Sequence, residues 1–358
     1  MNYSEEEKAI AWLAACTQFE YREKVAILRA CGDPALLFGD AERFVKKAVR
    51  EERLTLFPVD GNARRREADK LISELERKNY FVVTVASEDF PESLKWTDEA
   101  PLALFCAGNR ELLKKRKFCI VGSRSTPVWA EAVTKRISGE LSERFVIVTG
   151  LAEGGDSAAA MGALASGNLI AVLPCGLDEC YPASQLSLKE KIAKGGLLLS
   201  EYPLKEAART YSFHARNRIL AGLSEGVLVV SAGARSGTSI TASKALDYGR
   251  DVFAFPYNIG VGQGVGCNEL LKKGASPVTD SEDILAFYGF EKAAKTQEPL
   301  SPEEEGILKI LSEAGELHAA LIAERAGLKP YEAAAVLSAL EVKGRVSKSG
   351  GNKYSVIS

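Results

Sequence analysis

Histidine is scarce: His214 and His318 are the only two in the chain, and neither falls in a Cys/His/carboxylate spacing that would hold zinc. With no G-x-S-x-G elbow either, triad and metal chemistry lack their parts, so no catalytic residue and no metal site is expected. Charge of one sign is also missing. Against 46 Lys+Arg stand 48 Asp+Glu, a formal net charge of -2, so any site for a polyanion must be local. No apolar run approaches the roughly 18 residues of a membrane span. The opening residues MNYSEEEKAIAWLAAC carry acids where a secretory leader needs bases, so no signal peptide is expected there. The 7 cysteines, an odd number without any C-x-x-C pair, read as buried reduced thiols. These absences together predict a cytoplasmic protein with no membrane contact.

What is present is rhythm. Between Glu5 and Asp69 apolar residues recur at helical spacing (Ile10, Leu13, Val25, Ile27, Leu28, Leu36, Leu37, Phe44, Val45), broken at Gly32-Asp33-Pro34. A β-flavoured stretch follows, with Phe81–Val85 and Leu102–Phe105 as extra strands. From Phe118 the runs FCIVG, FVIVTG, LIAVL, GLLLS, GVLVV and DVFAF alternate with helical patterns, as strands buried on both faces do. The fold class is therefore α/β, with a doubly wound, mostly parallel, Rossmann-like sheet whose ligands sit at the carboxyl ends of strands. Helices over Glu304–Leu311, Leu317–Ala326 and Pro330–Lys343, then a hairpin around Gly350-Gly351, predict a winged-helix-like end. The expected division is a helical domain over 1–75, a Rossmann-like domain over 76–290, a linker over 291–302 and the winged-helix-like domain over 303–358.

Three turns carry the chemistry. The first strand ends in Gly122-Ser123-Arg124, with Pro127 suited to the first turn of the next helix. A glycine, a helix N-terminus and an arginine fork together suit a phosphate. In the second turn Gly150 and Gly155 have the spacing of a P-loop, yet Asp156 stands where the phosphate-binding lysine belongs. An acid there repels a triphosphate, so the glycines are read as room for backbone approach beside the first turn. The third turn, Arg235-Ser236-Gly237-Thr238, opens another helix and makes a second anion site, with Thr238 as the candidate N-cap. Between these turns lies Phe213-His214-Ala215-Arg216-Asn217-Arg218, where arginines and an amide follow aromatic residues, a composition suited to phosphate pairing with base stacking. The run Gly260–Cys267 fails the G-x-G-x-x-G spacing and reads as a flexible loop before a helix over Asn268–Lys273.

Taken in order, VGSRSTP, VTGLAEGGDSAA, AVLPCGLDECYP, LLLSEYP, FHARNRILAGLSEGVLVVSAGARSGTSITASKALDYGRDVFAFP, GCNELLKKGA and VTDSEDIL resemble the DprA/Smf family over about Phe118 to Phe287. The resemblance implies an extended Rossmann fold flanked by a SAM-like helical domain and a winged helix. It implies binding of single-stranded DNA, protection of incoming strands, loading of the RecA recombinase in natural transformation, a homodimer, no cofactor and no turnover. By position, Gly122, Ser123 and Arg124 match the first phosphate turn, Arg216, Asn217 and Arg218 the R-N-R segment, and Arg235, Ser236, Gly237 and Thr238 the R-S-G-[ST] turn. Where the family commonly has an asparagine and nearby bases after Tyr181-Pro182, this chain reads Ala183-Ser184-Gln185, with Gln185 as the substitute contact.

Two other readings compete. Nucleotide phosphoribohydrolases of the cytokinin-activating, lysine-decarboxylase-like type share a related scaffold, but Thr241 stands here where their catalytic glutamate is needed. An interaction protein would use the winged-helix-like end. Its candidate recognition helix, Tyr331–Lys343, has too little basic density for a strong duplex reader.

Overall fold

The computed structural model describes residues 2–39, 46–47, 61–234, 236–290, 300–343 and 345–356. Phe44 and Val45, expected on the N-terminal helical pattern, lie outside the described residues. The chain forms two compact units, Met1–Phe290 and Glu291–Ser358.

The first unit opens with α1 (Glu5–Ala15), α2 (Tyr21–Cys31) and α3 (Gly61–Arg77). Ser4 caps α1 in a reciprocal box with Glu7. The expected break falls at Gly32, whose φ of 73° ends α2, and Asp33 then caps a short 3-10 turn. These helices bury Trp12, Leu13, Phe19, Ile27 and Leu37 among themselves. Ile10, Ala14, Ile72 and Leu75 face the other way, into the main core.

That main core is a nine-stranded sheet of order β1-β2-β6-β5-β4-β3-β7-β8-β9. Its strands are β1 (Tyr80–Thr84), β2 (Ala103–Gly108), β3 (Lys117–Gly122), β4 (Val146–Thr149), β5 (Leu169–Leu173), β6 (Leu197–Ser200), β7 (Gly226–Ser231), β8 (Asp251–Ala254) and β9 (Ser276–Pro277). The strands from β6 through β9 run parallel, and β2 joins β6 antiparallel, carrying β1 as an antiparallel edge. Every residue of β3, β5 and β7 is buried, which explains why their sequences are apolar without alternation. From β3 the chain first winds outward through β4, β5 and β6, then returns to lay β7 on the other side of β3. The order reverses there, and the crevice at the carboxyl ends of β3 and β7 is where such sheets take ligands.

The helices, in chain order, are α4 (Glu92–Lys95), α5 (Val128–Leu141), α6 (Gly155–Ala163), α7 (Leu186–Gly195), α8 (Thr210–Leu223), α9 (Gly237–Asp247), α10 (Val265–Lys272) and α11 (Ser281–Phe287). Two expectations need adjustment. Pro127 sits at the N-cap of α5, one position before the helix. Part of the supposed loop is ordered as a 3-10 turn over Gly262–Gly264 followed by α10, which begins at Val265 because Gly266 N–H and buried Cys267 seat it against β7 and the residue after it.

The second unit packs α12 (Pro302–Ala314), α13 (Ala319–Ala326) and α14 (Pro330–Val342) against a three-stranded sheet of β10 (Leu317–His318), β11 (Val346–Ser349) and β12 (Lys353–Val356). Ile307, Leu311, Ile322, Leu337, Leu340, Val346 and Tyr354 form its core. Leu317 and His318, expected to be helical, instead pair with Tyr354 and Lys353 as a short third strand. The His318 imidazole caps α13 by accepting from Ala320 N–H.

Candidate nucleic-acid interface

The turn after β3 is built by backbone approach. A Cβ on Gly122 would stand 2.8 Å from Gly155 Cα, and one on Gly154 would stand 2.3 Å from the Ser123 carbonyl oxygen. The first two turns therefore lie against each other, as the glycines of the second turn predicted. Ser123 N–H donates to the Ser231 carbonyl at 3.0 Å and to its Oγ at 2.9 Å, which ties the β3 turn to the end of β7. Thr126 Oγ1 donates to the Ser123 carbonyl at 2.7 Å and closes the loop before α5.

Below this surface lies a buried polar layer. Asp156, placed by the sequence at the P-loop lysine position, points inward and is 4% exposed. Its carboxylate accepts from Gly122 N–H at 3.0 Å and from Ala152 N–H at 3.4 Å, joining both turns. Arg216 is 5% exposed and donates from Nη1 to the carbonyls of Gly150 and, at 2.7 Å, Val172, and from Nε to Asn217 Oδ1 at 3.1 Å. Asn217 in turn donates to the Gly237 carbonyl at 3.2 Å, anchoring the start of α9. Burial pushes the Asp156 carboxyl up, while the Arg216 charge and the backbone donors pull it down. The same burial pulls the Arg216 guanidinium down against the Asp156 charge. Gly150 leaves room for these side chains: a Cβ there would stand 2.5 Å from Arg216 Nη1 and 2.6 Å from Asp156 Oδ2.

Above the layer, Arg124 is exposed. Its guanidinium lies 5.6 Å from the ring centroid of Tyr181 and 5.6 Å from that of Phe213, and the two rings meet edge to face at 5.2 Å. Tyr181 comes from the loop after β5 and Phe213 from the first turn of α8, which begins where Arg209 N–H donates to Ser212 Oγ at 2.9 Å. Ser184 Oγ donates to Glu153 at 2.6 Å and pins that β5 loop, including half-buried Gln185, to the second turn. At the third turn Ser236, rather than Thr238, is the N-cap, accepting from Thr238 N–H at 3.2 Å. Around Gly237 no atom of the described residues lies within 4 Å of where a Cβ would stand, so the backbone there is open to approach. Arg235 lies outside the described residues.

Arg218 does not join this rim. Two residues past Arg216 on a helix is a rotation of about 200°, and its guanidinium emerges on the other side of α8. There Nη2 donates to both oxygens of Glu201, at 2.5 and 2.7 Å, beside a cavity of about 510 Å³ walled by Tyr21, Tyr202 and Tyr211. Among the described residues its buried Nε and Nη1 have no partner. Thr241, at the position where a hydrolase would need its acid, is 1% exposed within α9. Among the described residues no group of three or more His, Cys, Asp or Glu could hold a metal ion, and no helix is long and apolar enough to cross a membrane. All seven cysteines are free; six are buried and Cys180 is half-buried.

Residue types and spacing mark Phe213 and Arg124 but not Tyr181. The signal was slight, an aromatic residue preceding a proline in a loop after a strand, and only the folded loop brings it across to Phe213.

The fold and the rim define a doubly wound α/β protein that exposes a cation and aromatic rings at its switch point. Residues 81–289 match the family described as DNA recombination-mediator protein A, and residues 291–352 match the DprA winged helix domain. The chain belongs to the DNA recombination-mediator protein A family, the DprA/Smf proteins. It is 44% identical over 209 residues to the DNA processing protein DprA of Streptococcus pneumoniae, covering 58% of this chain and 74% of that one. An X-ray structure of DprA from that organism superposes with a TM-score of 0.67 at 34% identity, covering 82% of this chain and 100% of the other. A structure of DNA processing protein A from Helicobacter pylori, described for its single-stranded DNA binding mode, superposes with a TM-score of 0.53 at 32% identity, covering 58% and 95%.

Proposed function

We propose that this protein binds single-stranded DNA along the carboxyl rim of its sheet as a cytoplasmic recombination mediator, without catalytic turnover. The observation that carries the reading is the exposed Arg124 guanidinium over the rings of Tyr181 and Phe213, set on the Gly122-Ser123 turn. A cation pairs with a phosphate while rings stack on bases, and both interactions tolerate any sequence. Ser236, Gly237, Thr238 and Gln185 extend the contact, and Arg235 adds a second cation by its position in the third turn. Gly150, Arg216 and Asn217 hold the rim from beneath. The relative from Helicobacter pylori described as binding single-stranded DNA supports the same ligand class for this chain. Protection of incoming strands, loading of the RecA recombinase and action as a homodimer belong to the proposal on the strength of the family resemblance.

Titration of labelled oligo(dT), with duplex of equal length as control, tests it. Arg124→Ala should weaken single-strand binding across all sequences by about 1.5–3 kcal/mol, the value of a hydrogen bond to a charged group. It should also lower the slope of log affinity against log salt by about one. Binding unchanged at low and moderate salt removes the assignment. For the recombinase, formation of RecA filaments on single strands should accelerate with the parent protein and not with Arg124→Ala.

A further inference from the structure

A second group of aromatic rings stands on the opposite flank of the β3 turn, and nothing described so far uses it. Trp129, in the first turn of α5, packs at 5.1 Å from the ring of Tyr257 and stacks at 6.5 Å, with 25° between planes, on Phe255. Tyr257 is itself fixed, donating from its hydroxyl to the Val230 carbonyl at 2.7 Å. The indole thus has a rigid backing and still leaves 49% of its surface exposed, beside Val128 at 83%. Exposed tryptophan held in place by buried rings carries no packing reason for its outer surface to stay bare.

Topology fixes where this group lies. Tyr181 follows β5 and Phe213 opens a helix packed over β3, β4 and β5, whereas Phe255 and Tyr257 continue β8, on the far side of β7. In the sheet order the ends of β3 and β7, which carry the first and third turns, lie between those of β5 and β8. Arg124 and Trp129 are five residues apart, so at most about 18 Å separates their backbones. About five stacked nucleotides at 3.4 Å each would cover that span. The surroundings also differ in charge: the segment Tyr257–Gly264, reading YNIGVGQG, has no ionisable group besides the Tyr257 phenol, and Glu131 is the only acid in the first turn of α5.

We infer that Trp129 is a second base-stacking platform, so that a single strand crosses the rim from Tyr181 and Phe213, over the phosphate turns, to Trp129. The inference rests on the proposed single-strand binding and adds to it a path and a minimum length. A stacking contact pairs no phosphate and itself releases no counterions, so its own contribution is nearly independent of salt, unlike that of Arg124.

The test compares the parent chain with Trp129→Ala, Trp129→Phe and Arg124→Ala on a long oligo(dT) and on a dinucleotide too short to reach both platforms. Trp129→Ala should weaken long-strand binding roughly tenfold, the size of one base-ring stack. It should do so with an unchanged salt slope and an unchanged dinucleotide affinity, and Trp129→Phe should restore most of the loss. Oligo(dT) should quench parent tryptophan emission, and Trp129→Phe should abolish most of that quenching. If both Trp129 variants bind long strands like the parent while Arg124→Ala still loses affinity, the second platform falls and the proposed function stands. If the parent binds no single strand, the proposed function itself fails. If Trp129→Ala leaves DNA binding intact but lowers the sedimenting mass, the patch is a contact between copies of this chain and the inference is overturned.

Discussion

Arg124 and Arg216 serve neighbouring turns at the same end of the same sheet, yet they live in different physical worlds. Arg124 stands in solvent over two rings, and among the described residues it has no hydrogen-bond partner, so its charge faces outward. Arg216 is enclosed, spends its donors on the Gly150 and Val172 carbonyls and on Asn217, and sits in the field of buried Asp156. The difference teaches that a basic motif at such a rim has two layers. One arginine faces solvent while another holds the carbonyls and turns beneath it in place.

The comparison breaks most sharply if Arg216 is replaced. Arg216→Met should destabilise the first unit by about 3–5 kcal/mol, since it strips donors from buried carbonyls and leaves the Asp156 charge uncompensated. Chemical denaturation would read this, and a variant as stable as the parent would show that the lower layer is not structural. Arg124→Ala, in contrast, should leave stability within about 0.5 kcal/mol, as surface substitutions do, while DNA affinity falls. Gly150→Ala sharpens the distinction. Its new methyl would meet Arg216 and Asp156 inside normal contact distance, for an overpacking cost of about 1–3 kcal/mol, and the rim would lose affinity only as far as that layer shifts. Arg218→Met should leave oligo(dT) affinity unchanged, because that guanidinium faces Glu201 across the helix. A loss equal to that of Arg124→Ala would return Arg218 to the rim.

The smallest effect is on stability alone, read against pH. Burial raises the thiols of Cys16 and Cys175 from 9.0 to about 11 and those of Cys31 and Cys267 to about 12. A raised acid contributes stability that is complete below its unfolded value and lost as pH climbs through the folded one. Lys117, lowered by burial from 10.5 to about 8, acts in the opposite sense, its penalty fading between those values. The thermal midpoint should therefore rise slightly from pH 8 to 9 and fall beyond it. Cys267→Ala should flatten the fall, which a scan of midpoint against pH would show directly.

By itself the sequence determined the main strands and helices and their order, though not short pieces such as Leu317–His318. Apolar runs such as FCIVG and GVLVV, buried on both faces, can be little other than central parallel strands, and the turns that end them carry the glycines and hydroxyls that the rim uses. It also marked Arg124, Phe213 and the third turn as candidates, because their chemistry is local. What only the tertiary structure decided was direction and partnership. Arg216 and Arg218 are nearly interchangeable as letters, but helix rotation sends one under the rim and the other to Glu201. Tyr181 and Trp129 acquire meaning only where loops and strands distant in sequence meet Phe213 and Tyr257. Asp156 looked like a repulsive acid in a phosphate loop and is instead a buried acceptor for Gly122. Pattern records how apolar each position is along the chain, whereas which side chain faces solvent at a crowded strand end depends on packing among segments that no local pattern encodes.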